Sequence, residues 1–183
     1  MATRRQIIGA AQELKDYALS NDDINAILDP DTKIWTYPDF ARMNSIDEAF
    51  DSLGRCIFLF LTESKNSGHW CGMWKRRGAI HYFDSYGLPP EAPREWLTQR
   101  QLVALGEGEP YLMRLLEASG MPVYYNKVQY QKDRADVATC GRWVITRLIF
   151  KDLSDAAFHK LVKKSGVDPD TFATIFIAEI LGR

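Results

Sequence analysis

Three short strings place reactive side chains at the borders of otherwise apolar runs: Gly68-His69-Trp70, Phe83-Asp84-Ser85-Tyr86-Gly87 and Thr139-Cys140-Gly141-Arg142-Trp143. A thiol attacks carbonyl carbon only as the thiolate, and the first turn of a helix stabilises that anion through unpaired N–H groups and the helix dipole. The pattern that opens at Cys140 reads as such a helix. Gly141 lets a substrate backbone approach closely, and the Cys140 N–H can point at a developing oxyanion. His69 and Asp84 stand fifteen positions apart on what read as consecutive strands joined by a tight turn, so strand pairing can bring them together. A His69–Asp84 hydrogen bond would fix the imidazole tautomer and favour imidazolium, which in turn favours a Cys140 thiolate. The chemistry to expect is acyl transfer with Cys140 as nucleophile, His69 as base and Asp84 as orienting acid. Gln131 offers a second oxyanion donor, and Gln129, on the same strand face, is the alternative.

The remaining candidates read as structure. Cys71 shares the strand face of His69 and could suggest a metal site with Cys140 and His81, but a sound zinc site needs four well-placed ligands, so neither a metal nor another cofactor is expected. Cys56 lies in an apolar run and reads as core. His81 alternates with apolar neighbours as a sheet residue, His159 falls in a late helix with solvated surroundings, and Lys75-Arg76-Arg77 reads as a solvated turn.

Around these residues the apolar periodicity supplies the positioning elements. Residues 3–18 have helical spacing, and Ser20 caps a short helix reaching Leu28, ended by Asp29-Pro30. Residues 34–40 read as an ordered loop or short extended piece, and Ser45 with Glu48 forms a capping-box pattern for about two helical turns closed by Gly54. The run 56–61 is a strand apolar on both faces and therefore central. Residues 68–74 and 79–83 form a hairpin across Lys75-Arg76-Arg77-Gly78. Helical patterns follow at 94–104 and 110–119, then a strand over 123–131, the helix from Cys140, and helices opened by Ser154 and by Asp168-Pro169. Helices, a strand meander and further helices make an α+β fold. The reading is one domain over 1–183, with an N-terminal helical part (1–54), a catalytic core (55–150) and C-terminal helices (151–183).

Composition excludes other classes. The 183 residues are 46% hydrophobic and 26% charged, as expected of a globular chain, and the net charge of −1 gives no global reason to bind a polyanion or an anionic membrane. The apolar run 56–61 is far too short to span a bilayer, and no signal-peptide pattern opens the chain, so an intracellular protein is expected. Three cysteines, an odd and sparse set, do not suggest a disulfide framework.

With its His, Asp, Gln and Cys in that order, the sequence resembles the adenain/SUMO-protease (Ulp-type) group of papain-like cysteine peptidases over roughly residues 55–150. Gly68-His69-Trp70 matches the base segment, Phe83-Asp84-Ser85 the acid segment, Gln131 the oxyanion glutamine and Cys140-Gly141 the nucleophile. Gln131 precedes Cys140 by nine positions, more than is usual in the group, so the intervening loop is longer here. The resemblance implies a central mixed, mainly antiparallel sheet flanked by helices. It also implies an endopeptidase that cuts after small residues, at Gly-Gly or Gly-X, with Trp70 lining a narrow substrate tunnel; Gly141 is the other substrate-binding residue expected, and the protein is expected to be a monomer. The compact chain looks more like the maturation proteases of DNA viruses and related mobile elements than like long cellular SUMO proteases. Its substrates would then be viral structural precursors, and its place the host cytoplasm or nucleus, the virus factory or the virion. Two alternatives stand beside this one: a protease acting on ubiquitin-like conjugates, and a non-enzymatic binding module on a peptidase-like scaffold. Activation by a peptide or by DNA is a further partner class left open.

Overall fold

The computed structural model describes residues 8–9, 14–15, 18–64 and 67–182. Most of the helix expected over 3–18 therefore lies outside the described residues. Helix α1, Asn21–Ile27, begins at Ser20, whose hydroxyl caps the Asp23 N–H while the Asp23 carboxylate returns a bond to the Ser20 N–H. Strand β1, Lys33–Thr36, and a 3-10 turn at Tyr37–Arg42 follow.

Five strands form one sheet in the order β1-β2-β3-β4-β5, with β2 at Arg55–Ser64, β3 at Ser67–Arg76, β4 at Ala79–Asp84 and β5 at Val123–Tyr125. The antiparallel meander β2-β3-β4 is extended by a parallel strand at each edge, so the sheet is mixed. The run at 56–61 is apolar without alternation because both faces are covered. Ile57, Leu59 and Leu61 enter one core cluster, and Cys56, Phe58 and Phe60 enter the other. The β3–β4 turn is tighter than the basic stretch suggested. Arg77 and Gly78 alone adopt positive φ, 51° and 74°, the twist that matches paired strands.

Helix α2 is Gln99–Leu105, α3 is Tyr111–Ser119, α4 is Cys140–Ile149, α5 is Asp155–Lys164 and α6 is Pro169–Leu181. Helix α4 packs on β3 across Gly72, where a Cβ would stand 2.6 Å from Val144 Cγ1, so only a missing side chain permits this approach. No helix among the described residues is long and apolar enough to cross a membrane.

Three sequence expectations need correction. The capping box at Ser45 and Glu48 forms, but it opens a single 3-10 turn at Ile46–Ala49 rather than two helical turns. The helix expected over 94–104 is two pieces, a 3-10 turn at Ala92–Trp96 and α2, because Thr98 takes up its own capping box with Gln101. The strand expected over 123–131 ends at Tyr125, where the Asn126 side chain bonds the backbone of Asp84 and replaces the ladder.

Candidate active site

Cys140, His69 and Asp84 come from three elements that meet at one end of the sheet. The register pairs Cys71 with Asp84, so β3 runs two residues beyond β4 before reaching His69, and His69 becomes the diagonal same-face neighbour of Asp84. His69 Nε2 lies 3.0 Å from Asp84 Oδ2. A carboxylate can only accept, so Nε2 carries the hydrogen, which leaves Nδ1 for Cys140. The Cys140 thiol is hydrogen-bonded to His69 from the first residue of α4, and the backbone N–H groups of Trp70 and Gly141 also reach its sulfur.

The second carboxylate oxygen of Asp84 accepts the Tyr86 N–H at 2.6 Å. Asn126 accepts from the Asp84 N–H and donates to its C=O, at 2.9 and 2.7 Å. Asp84 is fully buried and His69 nearly so. Tyr86 stacks on the imidazole with ring centroids 5.1 Å apart, and Trp96 meets it edge-on at 5.2 Å. These rings keep the His69–Asp84 bond out of water and hold the imidazole plane.

Electrostatics follow the geometry. Burial alone would lower the His69 pKa, yet nearby Cys71, the Asp84 hydrogen bond and the Cys140 hydrogen bond together raise it well above the ordinary histidine value. Burial and the neighbouring Asp84 carboxylate push the Cys71 thiol up to about 12, against the opposing pull of His69 and Tyr82. Burial would raise the Cys140 pKa, but the bond to His69 and the charge of its imidazolium outweigh that and lower it. Both shifts favour a thiolate–imidazolium pair.

Cys140, His69, Trp70 and Gln131 line an open cleft of about 820 Å³ that runs past β1 and the start of α1. Gln131 is fixed by its neighbours: its Oε1 accepts from Ser85 Oγ at 2.8 Å and its Nε2 donates to the Val137 carbonyl at 3.1 Å. Gln129 is not part of that lining, and its amide donates instead to the Gln131 carbonyl. Gly141 packs against Trp70, where a Cβ would stand 3.2 Å from Trp70 Cδ1.

Cys71, His69 and Asp84 offer three metal-donor atoms within 4.8 Å of one another, and His81 is not among them. Three is one short of a closed zinc site, and these atoms already bond each other: Cys71 Sγ lies 3.5 Å from Asp84 Oδ2 and accepts from Tyr82 Oη at 3.1 Å. His81 stacks flat on Trp74. His159 is half-buried against Tyr130 rather than solvated. Lys75 and Arg76 are also engaged, with Asp47 and with the Leu153 carbonyl. Sequence reasoning missed Trp96, Asn126 and the buried Asp170 of α6. Trp96 and Asn126 stand on loops or turns that carry no motif, while Asp170 was visible only as part of a helix start.

The fold and site thus define an α+β protein that brings a cysteine, a histidine and an aspartate together beside an open cleft. The chain is 36% identical over 172 residues to the uncharacterized protein V9 of Sputnik virophage, covering 90% of this chain and 98% of that one, and it belongs to the same family. No protein-family model matches the chain. Among solved structures it is similar to the ASFV pS273R protease at a TM-score of 0.35 and 15% identity, over 86% of this chain and 66% of that one, just under two thirds of its length.

Proposed function

We propose that this protein is a cysteine endopeptidase of papain-like fold that acts through Cys140, His69 and Asp84. The observation that carries the reading is a single imidazole hydrogen-bonded to both a buried carboxylate and a thiol at a helix start, beside an open cleft. The Cys140 thiolate attacks the scissile carbonyl carbon, and the carbonyl electrons move onto oxygen. The Cys140 N–H and the second Gln131 amide hydrogen stabilise that oxyanion. The His69 imidazolium then protonates the departing amine as the C–N bond breaks, leaving a thioester. Water attacks the thioester as His69 takes its proton, and the C–S bond breaks to release the acid and restore the thiolate–imidazolium pair.

The indole of Trp70, which lines the cleft beside Cys140, supports a preference for small residues before the cut, Gly-Gly or Gly-X. Kinship with a virophage protein supports structural precursors of a virus-like particle as substrates. The test is incubation of wild-type and Cys140→Ala proteins with precursor polypeptides and with a fluorogenic peptide ending in Gly-Gly before its leaving amine. Wild type should cleave and the variant should not; cleavage by Cys140→Ala overturns the proposal. Adduct formation with ubiquitin- or SUMO-vinyl-sulfone would redirect the substrate to ubiquitin-like conjugates while keeping the chemistry.

A further inference from the structure

Beneath the site, Asp170 in the first turn of α6 is fully buried, and its carboxylate collects three donors. Oδ1 accepts from Thr139 Oγ1 at 2.5 Å and from Trp143 Nε1 at 3.0 Å, and Oδ2 accepts from the Lys132 N–H at 3.0 Å. These donors are not scattered. Lys132 follows Gln131, Thr139 precedes Cys140, and Trp143 lies one turn into α4. One carboxylate therefore fastens both ends of the 132–139 loop and the helix that carries the thiol. All three donors are neutral, and burying a carboxylate among neutral donors is costly unless each bond is well made. This is the loop that separates the glutamine from the cysteine by nine positions. A longer loop has more conformations to lose, so its ends need fastening if the two donors are to face one point.

We propose that Asp170 is a positioning residue of this site, setting the Gln131 amide and the Cys140 N–H at the spacing an oxyanion requires; the inference rests on the peptidase reading above. Oxyanion geometry matters for peptide hydrolysis and not for alkylation of the thiolate, which separates this role from general structural support.

The experiment compares wild type, Asp170→Asn and Gln131→Ala, alone and combined, with the Gly-Gly fluorogenic peptide and with iodoacetamide. Asp170→Asn keeps the shape but turns a donor toward the Lys132 N–H. It should lower kcat by about ten- to a hundredfold with KM within about twofold, less than the roughly hundred- to thousandfold cost of deleting an oxyanion donor, because the donors are displaced and not removed. The rate and pH profile of Cys140 alkylation should stay within about twofold of wild type. The double variant should be slower than Gln131→Ala by clearly less than the loss that Asp170→Asn causes alone, because part of the Asp170 effect runs through the Gln131 donor and the rest through the Cys140 N–H. If the asparagine protein does not fold, Thr139→Val, which deletes one bond only, should lower kcat by about three- to tenfold with alkylation preserved. Wild-type kcat in Asp170→Asn, or parallel loss of kcat and alkylation, overturns the positioning role and leaves the peptidase reading intact. Ordinary free-cysteine alkylation of Cys140 in the wild type, without peptide cleavage, overturns that reading and this inference with it.

Discussion

At the scale of single residues, reactivity depends on what each group touches. Cys71 and Cys140 are both buried thiols within reach of His69, yet one is pushed up to about 12 and the other is lowered, because Cys71 also faces the Asp84 carboxylate while Cys140 receives the Trp70 and Gly141 backbone N–H groups. Glu107 shows the same dependence on surroundings away from the thiol. It is fully buried, its Oε1 accepts the Leu61 N–H at 2.7 Å, and its Oε2 has no partner. Burial raises its pKa from 4.5 to about 7, opposed by the Leu61 bond and by Arg94, with Glu91 adding to the rise. The folded state thus keeps this proton to higher pH than the unfolded chain does, and stability contributed by Glu107 falls as pH rises from about 4.5 to about 7. Glu107→Gln keeps an acceptor for Leu61 and has no proton to lose. Urea denaturation at pH 5 and pH 7.5 should show the wild type losing about 1–3 kcal/mol relative to this variant. Parallel behaviour of the two proteins would refute the assignment.

At the scale of elements, the site depends on how closely α4 lies on β3. Gly72 makes that approach possible, since a Cβ there would meet Val144 Cγ1 at 2.6 Å while the opposite face of the strand is already filled. Gly72→Ala should destabilise by about 1–3 kcal/mol through overpacking and should lower activity by shifting Cys140 away from His69. Val144→Ala in the same protein should restore much of both, and a double-mutant cycle on denaturation midpoints and alkylation rates checks it. A double variant as impaired as Gly72→Ala alone would show that the two side chains do not compete for this space. The far end of α4 is anchored by Arg147, which donates to the Phe150 and Leu153 carbonyls and lies 4.4 Å over the Trp74 ring. The helix that carries the thiol is thus held at both ends, by Asp170 at its start and by Arg147 at its close.

At the scale of the whole molecule, two apolar clusters cover the two faces of the sheet, and the one beneath the cleft gathers α1, α4, α5 and α6. Phe158 is 1% exposed and contacts the rings of Phe83, Tyr130, Trp143 and Phe150. Phe158→Ala should therefore cost about 3–5 kcal/mol, read from urea denaturation, and a loss under about 1 kcal/mol would show that this cluster does not bear the packing assigned to it. The sequence by itself determined what local rules control. The capping boxes, the doubly apolar strand at 56–61, the hairpin that brings His69 near Asp84 and the helix start at Cys140 all follow from side-chain period and from residues within a few positions of each other. Only the tertiary structure decided where bonds between distant residues replace local ones. Asn126 ends β5 by bonding Asp84, β1 adds a parallel edge to β2, Trp96 closes over His69, and Asp170 ties α6 to the loop before Cys140. The physical reason is that a long-range partner leaves no period in the sequence, so the bonds of a buried carboxylate such as Asp170 to residues more than twenty-five positions away could not be read from it.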